Sequence, residues 1–190
     1  MTLPIKKVGQ TSVGITNLSL GCASIGNLYR EVSNQEAEDV LQTAWRAGIR
    51  YFDTAPHYGR GLSEQRLGQF LREKPREDYV ISTKVGRVLT SGAPRQEADG
   101  FIYPLANDVH YDYSGEGIES ALEGSRTRLG SKYIDIVYVH DIGTYTHGDA
   151  NSVHFEAFMD SGYECLVKLK ERGEIAVSYT HLTLPTTSRV

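Results

Sequence analysis

"IRYFDTAPHYGRG", Ile49–Gly61, is the stretch on which the fold turns. Ile49 to Asp53 is β-prone and ends on a carboxylate. Pro56, Gly59 and Gly61 follow closely, and residues of these two types punctuate the chain too strongly for helix. The segment therefore reads as a strand ending at Asp53, with Tyr58 in the loop beyond it.

The same grammar extends in both directions. Upstream, Ser33-Asn34-Gln35-Glu36 has the capping-box pattern, in which the serine hydroxyl and the glutamate satisfy orphan N–H groups at a helix start. Ala37, Val40, Leu41 and Ala44 then recur at helical spacing, and Gly48 closes the helix. Leu18 to Gly21 reads as the preceding strand, and Ile5–Val8 with Ser12–Ile15 around Gly9-Gln10 as a small hairpin. Downstream, Leu67, Phe70 and Leu71 mark the buried face of a second helix, and Tyr79–Lys84 reads as a third strand. A long loop is expected from about Val85 to Tyr113. Ile118, Leu122, Ser125 and Leu129 form one helical stripe, stopped by Gly130, before a fourth strand at Ile134–Val139. A second long loop, His140 to about Met159, leads to a helix ending at Gly173, and Glu174-Ile175 begins a fifth strand.

Strict alternation of strand and helix predicts an α/β fold, a parallel sheet with helices packed outside. Two architectures fit: an open doubly wound sheet, or part of a (β/α)8 barrel. A full barrel typically takes about 250 residues, and this sequence has 190.

Composition narrows the function classes. The chain is 39% hydrophobic and 23% charged, ordinary for a globular domain, with net charge −4 and no basic block. Nucleic acid and anionic membrane are therefore not expected as partners. No apolar run approaches the roughly 18 residues of a membrane-spanning helix, and MTLPIKKVGQ lacks the apolar core of a secretory signal. Cys22 and Cys165 are far apart with no C-x-x-C spacing, so free thiols in a reducing cytoplasm are expected.

Polar residues gather where catalytic groups lie in either architecture, at the C-terminal ends of strands. Asp53 ends the second strand, Lys84 ends the third, His140 follows the fourth, and Tyr58 lies in the loop after Asp53. Singly, each has a plain structural explanation as cap, solvated end or packing group. Together they bring a carboxylate, an ammonium, an imidazole and a phenol to one mouth. That set suits proton transfer at a carbinol or carbonyl oxygen. A free tyrosine, with pKa near 10, is a poor acid or base at neutral pH, and a neighbouring ammonium favours its phenolate. A buried ammonium keeps its proton only if paired, which makes Asp53 the counter-ion expected for Lys84. An imidazole such as that of His140 can orient the reacting oxygen. No nucleophile is evident, so hydride transfer with a nicotinamide supplying the difficult step fits best.

"FDTAPHYG" (Phe52–Gly59), "STKVG" (Ser82–Gly86) and "IDIVYVHD" (Ile134–Asp141) closely resemble the aldo-keto reductase superfamily. The resemblance runs from about Ile5 to Ile175. It implies a (β/α)8 TIM barrel plugged at the bottom by the hairpin, of which this chain holds about four βα units and the start of strand five. It also implies that Tyr58 is the acid/base, supported by Asp53, Lys84 and His140, and that the cofactor is NAD or NADP. Gly21, Cys22 and Ala23 match the family's first strand-end loop, near the nicotinamide, with Asp53 beside them. His57 and Asp141 are candidate substrate contacts. "APHYGRGLSEQRLG", "VHDIGTYTHG" and Asp112-Tyr113-Ser114 look most like the L-fucose, D-threo-aldose and L-galactose dehydrogenases. Those relatives oxidise the anomeric carbon of an aldose to a lactone, with Tyr58 then acting as base; pyridoxal-oxidising relatives share much of the pattern. The expected partner is thus a small aldose or carbonyl compound.

Two rival readings use other features. His140, His147 and His154, with Asp141 and Asp149, suggest a metal-dependent barrel hydrolase, but their seven-residue spacing is not the usual ligand spacing. A cofactor-sensing binding module without catalysis would keep the same residues.

The end of the sequence departs from the resemblance. From Ala176 to Ser188 there is no charged residue and four of thirteen positions are threonine. "SYTHLTLPT" resembles translated adaptor sequence. Residues 1–177 are therefore expected to be an incomplete barrel and 178–190 a non-native tail, and the 190-residue chain itself is expected to be inactive.

Overall fold

In a computed structural model residues 3–180 are described. The chain opens with an antiparallel hairpin, β1 (Ile5–Lys7) and β2 (Gly14–Thr16), in register Ile5 opposite Thr16. Gly9, at φ +55°, supplies the left-handed conformation in the connecting turn. Then come β3 (Leu20–Gly21), α1 (Asn34–Arg46), β4 (Tyr51–Asp53), α2 (Leu62–Leu71) and β5 (Val80–Val85). Four short strands follow: β6 (Arg87–Ser91), β7 (Glu97–Ala98), β8 (Phe101–Ile102) and β9 (Asn107–Tyr111). The chain continues through α3 (Gly115–Leu129), β10 (Ile134–Val139), α4 (Thr144–His147), α5 (Asn151–Ala157), α6 (Tyr163–Glu171) and β11 (Ile175–Thr180).

Five strands form one parallel sheet in the order β11-β10-β5-β4-β3, so every strand pairs with its neighbour in the βα sequence. A doubly wound sheet reverses its strand order at a switch point, and none occurs in this sheet. The helices α1, α2, α3 and α6 cover one face. Leu41 of α1, Leu67 and Phe70 of α2, Leu122 of α3 and Leu169 of α6 share one core with Phe52, Ile81 and Val137 of the strands. The other face carries a second cluster, Val13, Tyr51, Ile136 and Val177, against which Val8 and Ile15 pack. Those residues place the hairpin across the N-terminal strand ends. A singly wound parallel sheet, covered by helices outside and stoppered by a hairpin inside, is the N-terminal part of a (β/α)8 barrel.

Local signals explain most boundaries. The Ser33 capping box is complete: the Ser33 hydroxyl accepts from Glu36 N–H at 3.1 Å, and Glu36 accepts from Ser33 N–H at 2.8 Å. At α3 the Ser114 hydroxyl accepts from Gly117 N–H at 3.2 Å, a one-sided cap, and Gly130 ends that helix at φ +65°. Gly68 lets α2 approach α3 closely, since a Cβ there would lie 2.6 Å from the Leu129 Cα.

Several expectations need correction. Val40 is 42% exposed rather than part of the α1 core face. Leu18 lies outside β3, which starts at Leu20. The expected loop from Val85 to Tyr113 is a β-structured excursion, with β6 paired antiparallel to β9 and β7 to β8 at its tip. The cross-strand pairs that hold it, such as Leu89 with Val109, are separated by a stretch rich in glycine and proline that masked the pattern. The expected loop from His140 to Met159 contains α4 and α5, joined to α6 through a wide turn at Phe158–Gly162. Of the segment expected as a non-native tail, Ser178, Tyr179 and Thr180 pair with Val137, Tyr138 and Val139 of β10, which leaves that expectation as it stands. The rest of the segment expected as a tail, 181–190, lies outside the described residues.

Candidate active site

The pleat of β5 builds the site. Successive strand residues point to opposite faces, so Ser82 and Lys84 share the inner face, while Thr83 points into the helical layer and donates to Glu64 of α2 at 2.6 Å. Asp53 sits opposite Ser82 in register. One Asp53 oxygen, Oδ1, accepts from the Ser82 hydroxyl at 2.6 Å; the other, Oδ2, accepts from Lys84 Nζ at 2.8 Å. Nζ also donates to the Thr54 carbonyl at 2.8 Å and lies 4.7 Å from the centre of the Tyr58 ring. Burial works against the Lys84 charge, but the Asp53 carboxylate and then Tyr58 outweigh it and hold the ammonium above its ordinary pKa of 10.5. Lys84 is thus a fixed cation beside a phenol.

Tyr58 is aimed by an unusual turn. Gly59, Arg60 and Gly61 follow it at φ +64°, +53° and +104°. Two of these are glycines, for which the left-handed region is open; for Arg60 it costs about 1–2 kcal/mol. The excursion holds the turn in place. Arg60, 9% exposed, pairs with Asp99 at 3.0 Å and donates to the Asn107 carbonyl at 2.7 Å. Asn107 in turn donates to the Arg60 carbonyl at 2.8 Å, and Leu105 N–H to the Gly59 carbonyl at 3.0 Å.

His140 follows β10 directly, its N–H bonded to the Val85 carbonyl at 2.9 Å. Its side chain is buried, and burial, reinforced by the positive charges of Arg87 and Lys84, holds its pKa well below 6.5. It is a neutral imidazole at neutral pH. The Tyr58 and His140 rings stand perpendicular at 6.1 Å. His57 packs edge-on to His140 at 5.9 Å, and Phe101 from the excursion covers both His57 at 5.5 Å and Tyr58 at 6.2 Å. Asp141, at φ +49°, forms an ion pair with the buried Arg87 at 2.7 Å and stands 3.4 Å from His140 Nε2. Asp53, Tyr58, Lys84 and His140 are thus brought together, with His57 and Asp141 on their rim.

The residues after β3 are arranged differently. Gly21, opposite Asp53, is an open ledge, with nothing within 4 Å of where a Cβ would lie. Cys22 donates its N–H to the Asp53 carbonyl at 2.8 Å, but its side chain is wholly buried in the core and burial pushes the thiol pKa up. Ala23, half-buried, precedes a short 3-10 turn, Ser24–Gly26. Only backbone at Cys22 can therefore face the mouth.

Ser82, Arg87 and Phe101 were not singled out from sequence. Ser82 had a signal, since it lies two residues before Lys84 on one strand face. Arg87 and Phe101 had none, because the excursion brings them in through pairings distant in sequence. The three histidines at seven-residue spacing do not converge. His147 lies 2.9 Å from the Tyr113 hydroxyl, and its ring is tilted against that of His154 at 4.1 Å, both rings apart from that of His140. Among the described residues no three His, Cys, Asp or Glu side chains are placed to hold a metal ion, and no helix is long and apolar enough to cross a membrane. A hollow of about 490 Å³ lies at the opposite end of the sheet, bordered by Val13, Arg76 and Asp135. There Arg76 and Asp135 are already paired at 2.5 Å.

His57 carries an expected pH effect. Burial, aided by Arg87, lowers its pKa from 6.5 to about 4. The unfolded chain therefore binds this proton below about pH 6.5 and the folded chain only near 4, so stability falls as pH drops through that window and levels off beneath it. Urea midpoints measured from pH 7 to 4 should fall, and fall less steeply in His57→Phe.

A singly wound barrel segment with a Lys-Asp pair, a phenol and a neutral imidazole at its strand mouth gathers groups that can hold and move a proton. Residues 17–178 match the aldo/keto reductase family. The chain is 41% identical over 181 residues to a pyridoxal 4-dehydrogenase of Microbacterium luteolum, covering 90% of this chain and 53% of that protein. It is 46% identical over 137 residues to a D-threo-aldose 1-dehydrogenase of Pseudomonas sp., covering 68% and 41%. Among solved structures, the holo form of an aldo-keto reductase from Bacillus halodurans superposes with TM-score 0.69 at 26% identity, over 94% of this chain and 51% of that one. The chain belongs to the aldo/keto reductase family, and it spans about half the length of the curated relatives it matches.

Proposed function

We propose that the protein is an NAD(P)-dependent dehydrogenase that oxidises the anomeric carbon of an aldose to a lactone, with Tyr58 as the base. The observation that carries this reading is the placement of Lys84 Nζ, 2.8 Å from Asp53 and 4.7 Å from the Tyr58 ring centre. Tyr58 takes the proton of the C1 hydroxyl, with the Lys84 ammonium as the fixed positive charge beside its ring. Asp53, oriented by Ser82, keeps Lys84 charged. His140, neutral and fixed, orients the reacting oxygen through one hydrogen bond.

The donor set fits a nicotinamide partner. These side chains hold and move protons, the Cys22 thiol is sealed in the core, and the Gly21 ledge leaves open space beside Asp53. When bound, NAD or NADP supplies the hydride acceptor that no side chain provides. Gly21, Ala23 and the backbone at Cys22 would hold its nicotinamide end.

A second reading, oxidation of pyridoxal, is favoured by the match of 41% along 90% of this chain to a pyridoxal dehydrogenase. The test is absorbance at the reduced-nicotinamide band for the protein expressed from its complete reading frame. L-fucose, D-threo-aldoses and pyridoxal are each offered with NAD+ and with NADP+. Turnover of aldoses is expected; turnover of pyridoxal alone selects the second reading, and turnover of none removes both.

A further inference from the structure

The acid/base reading uses Tyr58, Lys84, Asp53 and His140, and gives Arg87 no task. Arg87 opens β6 directly after the strand that carries Lys84, and its side chain is only 6% exposed. Burying a cation is costly, and this one is not fully satisfied, since its Nε is buried without a hydrogen-bond partner. Its ion-pair partner, Asp141, is half in water and keeps its charge without help. An apolar side chain would fill the place beside the Tyr111 ring, whose centre lies 5.3 Å away, without that cost. The guanidinium therefore calls for a reason beyond packing.

The reason lies in one oxygen. Asp141 Oδ2 accepts from Arg87 Nη2 at 2.7 Å, and the same atom stands 3.4 Å from His140 Nε2. The rest of His140 is clamped. Its N–H is bonded to the Val85 carbonyl at 2.9 Å, and its own carbonyl accepts from the Tyr113 hydroxyl at 2.7 Å. Nδ1 is sealed without a partner, so Nε2 is the ring nitrogen that can meet a reacting oxygen. A free carboxylate beside that nitrogen would draw its hydrogen bond and favour the imidazolium. Arg87 competes for the carboxylate from the other side, and its shorter charge-assisted bond is the stronger one. The other groups facing the imidazole are Lys84 of β5, also a cation, and the rings of His57 and Tyr58. Among the described residues, Asp141 is the one carboxylate in contact with it.

We infer that Arg87 is a positioning residue: it holds the Asp141 carboxylate off His140, so that Nε2 stays free for the reacting oxygen. This rests on the dehydrogenase reading above. Arg87 acts through Asp141 and His140 and touches neither substrate nor cofactor. Its effect on turnover should therefore vanish once the Asp141 carboxylate is removed, whereas an effect through packing would persist.

The test is a double-mutant cycle in the protein expressed from its complete reading frame, with whichever of the aldoses or pyridoxal it oxidises. Arg87→Met is expected to lower kcat at pH 7 by about 10–100-fold with KM little changed, the scale of a misplaced catalytic group. In an Asp141→Asn background the same change should cost less than about threefold. The acid limb of the kcat profile should move to higher pH in Arg87→Met, because a freed carboxylate and one cation fewer both favour a protonated His140. It should move back toward the native position when Asp141→Asn is added. Should Arg87→Met fail to fold, Arg87→Lys and Arg87→Gln replace it. The first keeps a cation for Asp141 and the second does not, and equal losses in the two overturn the assignment. Equal losses from Arg87→Met with and without Asp141, an unmoved acid limb, or near-native kcat in Arg87→Met overturns the inference while leaving a dehydrogenase. Failure of the native protein to reduce either dinucleotide with any of these compounds overturns the dehydrogenase reading itself.

Discussion

Replacing Tyr58 by phenylalanine is expected to lower kcat about 10²–10⁴-fold, the usual contribution of a positioned acid/base group. The fold should survive, because the Tyr58 ring keeps its contacts with Phe101 and His140 while only the hydroxyl is lost. Lys84→Met should lose activity to a similar degree for a different reason: it removes the positive charge beside the Tyr58 ring and strands the Asp53 carboxylate. The two effects should not add. Once the phenol is gone, the ammonium has nothing left to steady, so the double variant is expected to resemble Tyr58→Phe. Stopped-flow hydride transfer with the protein expressed from its complete reading frame measures this. A Tyr58→Phe variant within about threefold of native turnover would sink the acid/base assignment, since the expected minimum loss is about 100-fold.

The second large effect is on stability and lies outside the mouth. Glu64 of α2 is wholly buried. It accepts from the Thr83 hydroxyl of β5 at 2.6 Å and from Arg128 Nε of α3 at 2.6 Å, so it joins one strand to two helices. The Arg128 side chain is 15% exposed and, among the described residues, pairs with no other carboxylate. Breaking a buried pair from one side leaves the partner charge uncompensated, at about 3–5 kcal/mol. Glu64→Ala should therefore lower the unfolding free energy by about that amount, read as a shift in the urea midpoint at unchanged slope. Thr83→Val removes one hydrogen bond and should cost nearer 1 kcal/mol. Replacing Glu64 and Arg128 together by leucine should recover much of the loss, because apolar packing can stand in for a buried pair. A Glu64→Ala change below about 1 kcal/mol would show that water reaches Arg128 and that the linkage contributes little.

Much of this arrangement was legible in the sequence, and the reasons are local. The Ser33 capping box, the α3 stripe closed by Gly130 and the six-residue strand Ile134–Val139 each follow from backbone preferences that act within a few residues. Lys84 and Asp53 were readable as partners because both sit at strand ends, where a parallel sheet gathers side chains. Glu64 was not, although it lies in the quoted "APHYGRGLSEQRLG". A charged residue on a helix usually faces solvent, and its burial depends on Arg128, which is 64 positions away. The excursion between β5 and α3 was hidden for a related reason. Its strands are two to five residues long and pair across a loop whose composition reads as irregular.

By itself, then, the sequence determined the alternation of strand and helix, the caps that bound the helices, and the four chemical groups at the strand mouth. Periodicity and capping are properties of neighbouring residues, so they survive without knowledge of the fold. Strand and helix periodicity left an open sheet and a barrel both possible; the resemblance pointed to the barrel, and the tertiary structure bears it out, because the choice depends on strand order and on which face each helix covers. Tertiary structure alone decided that Cys22 turns its thiol into the core, that Arg60 is locked in a left-handed turn by Asp99 and Asn107, and that Phe101 comes across to cover His57 and Tyr58. Each of these rests on contacts between segments distant in the chain, whose free energy exists only once the sheet has brought them together.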